Sequence, residues 1–378
     1  MNHIARVLLI VSAAIVLVAG CAQLPQRTSA ARYEKTSFAD LPGWKFAALK
    51  SSLSAFLAGC PRLKASAALA RACTAAQAVP ADDPAAVRRF FESTFVPYEV
   101  IDPDGSKTGL ITGYYEPVLQ GSRTRTDRFR YPVYGVPKDL VDVDLASLYP
   151  QLKGMRLRGR LDGRKLVPYY SRAEIDADGK AFSAPVIAWV ADPVELFFLQ
   201  IQGSGQIRFG DDDRIRVGYA DQNGHPYRSL GRYLVAQGEL PLDQASMQGI
   251  KAWGQAHPAL LRHALEQNPS YVFFRELPAS GGPIGALGVP LSGLYSIAVD
   301  RRFVPLGAPV YLASTLPLSD IPLEQLVVAQ DTGGAIRGAV RADFFWGSGD
   351  DAGEFAGRTR QQGRMWLLWP QGAPLPGA

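Results

Sequence analysis

"VRADFFWGSGDDAGEFAGR", residues 340–358, sets a carboxylate between Ala342 and three consecutive aromatics, then places glycines at 347, 349 and 353 beside two further acids. Its first half reads as a strand, an apolar run closed by a Gly-Ser-Gly turn. Runs of the same texture flank it: "YVFFREL", "GLYSIAVD", "PVYLAS" and "LVVAQDTGG" before, "GRMWLLWP" after. An earlier block starting at Leu110 reads the same way, through "LITGYYEPVLQGS", "YPVYGVP", "KLVPYYS", "VIAWVADPVELFFLQIQGSGQIRF" and "RIRVGYA". Short strands punctuated by Gly and Pro at such spacing predict a barrel, so the fold class is mainly β with helices.

Helical signals bracket the earlier block. Leu49, Leu53, Phe56 and Leu57 fall on one helical face, and Asp83-Pro84 is a cap and first-turn pair for a helix burying Val87, Phe90, Phe91 and Phe95. A short helix is expected over 229–236, another capped by Asp243 and running through Trp253, and a third opened by Pro258. The simplest organisation is a first domain from residues 39–116 and 236–378, with a smaller β domain, 117–235, inserted. A groove between the two is a common place for a site.

The chain has 378 residues and a formal net charge of +5 without basic blocks, which argues against nucleic acid and suits an anionic polymer or surface. Residues 1–20 read as a signal peptide: Arg6, then an apolar run from Val7 to Leu17 too short to span a bilayer. The segment Val18-Ala19-Gly20-Cys21 resembles a bacterial lipobox, which makes Cys21 a lipidated N-terminus and residues 21–38 a polar tether. The plainer alternative is a secretory peptide with a chance cysteine. Ala22 after Cys21, in place of an aspartate, points to the periplasmic face of the outer membrane. An oxidising periplasm would permit Cys60 and Cys73 to pair; the alternative is two buried free thiols.

Of the four histidines none has a second ligand at metal spacing, and "GSGQIRFG" sits inside a β run instead of opening a helix, so metal and nucleotide readings fail and no cofactor is expected. What remains is carboxylate chemistry. Asp343 packed against Phe344, Phe345 or Trp346 would have its charged form desolvated and its pKa raised, as an acid that protonates a glycosidic oxygen requires. Strand alternation restricts this to neighbours two residues away. The plain alternative is an exposed edge carboxylate beside a glycine turn. Gly347 and Gly349 would let a polymer approach the backbone, Asp331 ends a buried-looking strand as a supporting acid or a turn former, and Asp351 is a further supporting candidate beside a solvated Asp350.

"TGYYEP", "FFLQIQGSGQI", "GYADQNGHPYRSLGRYL", "NPSYVFFRE", "GALGVPLSGLYSIAVDR", "PLGAPVYL" and "AQDTGGAIRG", followed by "RADFFWGSGDDAGEFAG", resemble the membrane-bound lytic murein transglycosylase A family from about residue 90 to 369. The resemblance implies a double-psi β-barrel domain carrying an inserted smaller β-barrel domain. It places the catalytic aspartate at Asp343 and a second at Asp331. Thr112, Tyr114, Gln202, Gly203 and Ser204 then line a glycan groove. The implied substrate is peptidoglycan glycan strands, with membrane contact through the N-terminal lipid alone, a monomeric state and cell-wall synthesis proteins as possible partners. Rival readings are a two-carboxylate glycosidase using Asp331 and a peptidoglycan-binding lipoprotein without turnover.

Overall fold

A computed structural model describes residues 31–376, apart from 65, 153–154, 178–181, 212 and 279–280; the expected signal segment and Cys21 lie outside the described residues. Strand β1 (Arg32–Lys35) pairs antiparallel with β2 (Phe95–Ile101), and the Tyr33 hydroxyl donates to the Phe303 carbonyl at 2.6 Å. The tether expected over 21–38 is therefore seated from residue 32, because β1 satisfies the backbone of an otherwise open edge.

Between these strands lie α1 (Lys50–Gly59), α2 (Leu69–Gln77) and α3 (Pro84–Thr94). Helix α1 buries Leu53 and Phe56, as their spacing predicted, and its Ser52 hydroxyl donates to the Leu326 carbonyl at 2.7 Å. Asp83 caps α3 by accepting from the amides of Ala85 and Ala86 at 2.9 and 3.1 Å, with Pro84 supplying a first-turn φ at no hydrogen-bond cost. Cys60 and Cys73 are bonded, S–S 2.10 Å, joining the end of α1 to α2.

Strand β3 (Gly109–Glu116) leads through Pro117 into a second sheet. That sheet contains β4 (Val118–Ser122) and β5 (Tyr131–Tyr134), followed by a separate three-stranded sheet of β6 (Val141–Asp142), β7 (Arg158–Asp162) and β8 (Lys165–Pro168). After α4 (Arg172–Asp176) come β9 (Val186–Val190), α5 (Pro193–Gln202), β10 (Ser204–Arg208) and β11 (Arg214–Gln222). The stretch expected as one β run, 186–209, thus contains a helix. Asp192 caps it through the amides of Val194 and Glu195, Pro193 opens it, and Gly203, at φ 76°, closes it in the left-handed region that glycine takes without strain.

Helices α6 (Leu230–Ala236), α7 (Met247–Ala256) and α8 (Pro258–Glu266) follow, α7 capped by Ser246 instead of the expected Asp243. Strand pairing does not return to the first sheet at residue 236. Val194 and Phe197 of α5 share one buried cluster with Leu230, Leu234, Ile250, Trp253 and Leu265, and β12 (Val272–Leu277) completes the second sheet beside β11. The same apolar faces that hold α6 against α5 hold α7 and α8, so this layer continues to Leu277.

The chain then runs through β13 (Ser296–Val299), β14 (Pro309–Thr315), β15 (Pro322–Asp331), β16 (Ala342–Ser348), α9 (Asp350–Arg358) and β17 (Arg360–Pro370). Among the described residues the large sheet has the order β1-β2-β17-β14-β15-β13-β16-β3, and β17 also pairs with β3, which closes six strands into a ring. Phe56, Phe91, Ile111, Val310, Leu312, Phe344, Met365 and Leu367 share its core with the first three helices. Among the described residues no helix is long and apolar enough to cross a membrane.

Candidate active site

Strand register brings the acids together. Ala298 of β13 pairs with Asp331 on one side and Asp343 on the other, and Asp343 pairs with Thr112 of β3. Paired residues of adjacent strands share a face, so Asp331, Asp343 and Thr112 form one row, with the two acids about 10 Å apart at Cα by strand spacing. Alternation then separates the aromatics. Phe344 is buried in the barrel core and packs its ring on Trp346 at 4.9 Å, so neither flanks the Asp343 carboxyl. Phe345, two residues on, does share its face and packs against Tyr114 with ring centroids 5.1 Å apart. Of the three aromatics in "ADFFW", only Phe345 lies where it can desolvate the acid.

Burial pushes the Asp343 carboxyl up to about 6, against the lowering influence of the Thr112 hydroxyl and of Arg341, with Asp331 adding to the rise. Thr112 donates to Asp343 Oδ1 at 2.5 Å, and Arg341 Nη2 donates to the Thr112 hydroxyl oxygen at 2.8 Å. A guanidinium that fills one lone pair of the threonine aims its single proton at Oδ1. Oδ2 is then the oxygen left to carry a proton. Burial also lowers Arg341, an effect that the nearby Asp343 opposes. Arg341 was not singled out from the sequence, although it lies two residues before the acid on the same face.

Asp331 is arranged differently. Its Oδ1 accepts from the amides of Ala286 and Thr332, both at 2.9 Å, and its Oδ2 accepts from the Tyr114 hydroxyl at 3.2 Å. Burial raises this carboxyl too, while those three donors hold it down. Tyr114 is raised well above its ordinary value, by burial first and then by both acids, and so stays a donor. Asp351 stands exposed in the first turn of α9, where a carboxylate suits the helix N-terminus, and not in the row of acids.

The remaining candidates gather where the second sheet meets β3. Gln202, the last residue of α5, accepts from the Tyr115 amide at 3.3 Å, and Gly203 and Ser204 turn the chain into β10. Beside them Glu116 is fully engaged. It pairs with Arg216 of β11, their side chains 1 % and 5 % exposed, and accepts from Gln206 at 2.8 Å and from the Ser348 hydroxyl at 2.6 Å. The Gly349 amide donates to the Glu116 carbonyl at 3.0 Å. A charge cluster from residues 116, 206, 216 and 348 therefore fastens the second sheet to the turn after Asp343. Gly347, at φ 114°, lies against Gly293: a side-chain carbon on Gly293 would stand 3.2 Å from the Gly347 Cα. The close approach that these glycines permit is between two protein backbones. Among the described residues no group of three or more His, Cys, Asp or Glu is placed to hold a metal.

Comparison with known proteins agrees with this architecture. Residues 110–275 match the family model described as the MltA specific insert domain, and residues 295–369 match the 3D domain. The membrane-bound lytic murein transglycosylase A of Escherichia coli (strain K12) is 39 % identical over 267 residues, 68 % of this chain and 64 % of that one, so the chain spans somewhat under two thirds of that relative's length. A solved MltA from Neisseria gonorrhoeae superposes with a TM-score of 0.82 at 42 % identity, over 91 % of this chain and 94 % of that one. E. coli MltA solved with bound chitohexaose gives a TM-score of 0.68 at 30 % identity, over 90 % and 95 %. With the two family regions matched in chain order and a solved relative covered almost end to end, the chain belongs to the membrane-bound lytic murein transglycosylase A family.

Proposed function

We propose that this chain is a lytic transglycosylase, cleaving the β-1,4 bond between N-acetylmuramic acid and N-acetylglucosamine in peptidoglycan and closing a 1,6-anhydro ring on the muramic residue. Asp343 is its acid and base. The observation that carries the reading is the asymmetry of the two carboxyls. Asp343 sits at about 6 with one oxygen fixed by Thr112, whereas both oxygens of Asp331 are held by donors.

Protonated Asp343 gives its proton to the leaving glycosidic oxygen as the C1–O bond breaks. The resulting carboxylate takes the proton of the C6 hydroxyl as that oxygen bonds to C1 of the same sugar. Tethering the nucleophile within the substrate contributes up to roughly 7–11 kcal/mol in favourable cases and removes any need for an activated water. A two-carboxylate hydrolase requires a second base free to activate water. Asp331, tied to two amides and a phenol, instead orients Tyr114 and the loop at Ala286. Thr112 sets the acid's free oxygen, while Tyr114, Gln202, Gly203, Ser204, Gly347 and Gly349 line the glycan path. The reaction is balanced without a cofactor. The chitohexaose held by the E. coli relative, a β-1,4 chain of N-acetylglucosamine, supports a glycan ligand for this face.

The six-stranded ring supports a double-psi assignment, and the inserted domain is proposed to run from 117 to 277. Cys21 acylation would hold a monomeric body at a membrane, which the relatives' membrane-bound name supports; Ala22 after Cys21 favours the periplasmic face of the outer membrane, from which cell-wall synthesis proteins are within reach. The deciding experiment is mass spectrometry of sacculi digested by the wild type and by Asp343→Asn. The wild type should release anhydro-ended fragments, lighter than reducing ends by one water, and the variant none. Reducing ends from the wild type would replace the transglycosylase with a hydrolase.

A further inference from the structure

Two non-glycine residues among those described hold a positive φ, Leu294 at 68° and Leu318 at 55°. An L side chain in this region is strained, and such strain persists only where the surroundings enforce it. Leu318 lies at the tip of the β14–β15 hairpin, at the opposite end of β15 from Asp331. Leu294 sits in the turn that leads into β13, four residues before Ala298, the residue paired with both Asp331 and Asp343.

The turn around Leu294 is fixed from several sides. Its amide donates to the Phe345 carbonyl at 2.7 Å, and the Tyr295 amide donates to the Ser292 carbonyl at 3.0 Å. The Ser292 amide donates to the Ser296 hydroxyl at 2.8 Å; that hydroxyl bonds buried Gln330, which in turn donates to the Ala55 carbonyl at 2.8 Å. Gly293 is pressed on Gly347, as described above. A turn so constrained imposes the left-handed conformation on position 294, where glycine would sit without strain. A leucine that accepted the strain in order to fill the core would be buried. This one is 43 % exposed, and its backbone is bonded to Phe345, the aromatic that shares a face with Asp343.

We infer that Leu294 is a substrate-contacting residue, its rigid, exposed side chain covering the apolar C–H face or acetamido methyl of an N-acetylhexosamine unit bound beside Asp343. The inference rests on the glycan reading above. It would add an aliphatic contact to the polar groups of Thr112, Tyr114 and Gln202, and a sugar ring needs both kinds.

The test uses Leu294→Gly, which keeps the backbone and removes both strain and side chain, and Leu294→Asn, which tolerates the same φ but is polar. Binding of an N-acetylglucosamine hexamer is measured by calorimetry on the Asp343→Asn background, with turnover of purified sacculi on the wild-type background. Both variants should bind the hexamer about tenfold more weakly and raise KM similarly with kcat within twofold, while Leu294→Gly melts at or above the parent temperature. Unchanged binding and KM would overturn the inference, as would a lower melting temperature for Leu294→Gly, which would make the leucine a packing residue. Failure of the hexamer to bind the parent would overturn it too. Absence of anhydro product from the wild type would instead overturn the transglycosylase reading, and the binding comparison would still decide Leu294.

Discussion

The burial that pushes the Asp343 carboxyl up to about 6 acts on the folded state as well as on the reaction. A carboxyl whose folded pKa lies above its unfolded value binds more protons when folded, so between those two values stability falls as pH rises. From an ordinary 3.8 to about 6, the ionised form costs on the order of 3 kcal/mol above pH 6. Asp343→Asn should therefore melt higher than the wild type at pH 7.5, with the gain vanishing below pH 4; calorimetry across that range checks it. Turnover, which needs the protonated acid, should decline as pH passes 6. Thr112→Val removes a hydrogen bond that lowers the acid, so the alkaline limb of its pH–rate profile should move upward while its rate falls. The position of Asp343 was legible because a lone acid interrupts an aromatic strand. Which aromatic desolvates it was legible only through alternation, and Arg341 was passed over because its role runs through Thr112, a residue 229 positions away.

Most strands could be read from their apolar runs, but α5 could not. An unbroken run such as "VELFFLQI" lacks the periodicity that separates a buried helix from a buried strand, and only the Asp192-Pro193 start and the Gly203 stop mark it. Helix α9 was missed for the opposite reason, since Gly353 and Gly357 weaken its helical propensity and tertiary packing against β3 and β16 overrides that. Nor could composition decide between a disulfide and two thiols at residues 60 and 73. Bonded as they are, they close a loop of 13 residues between α1 and α2, which in the chain-entropy model stabilises by about 3 kcal/mol. The Cys60→Ser, Cys73→Ser pair should lower the denaturant midpoint by a corresponding amount without altering the product.

Across the molecule, the two sheets meet through Glu116 and Arg216, 100 residues apart, a contact that no single sequence discloses. Removing one partner of a buried pair strands the other charge, at roughly 3–5 kcal/mol. Glu116→Ala should lose stability on that scale and also raise KM, because Ser348 and the turn after Asp343 come free; Ser348→Ala should show the KM change without the stability loss. Chemical denaturation and turnover of both variants check this. The seating of β1 on β2 carries a different consequence. With Cys21 acylated, only eleven peptide steps separate the lipid from Arg32, a leash of at most roughly 40 Å. The enzyme would then work as a grazer confined to a thin shell of wall above its own anchor, and the length of that short polar stretch, more than the affinity of the cleft, would decide which strands it ever meets.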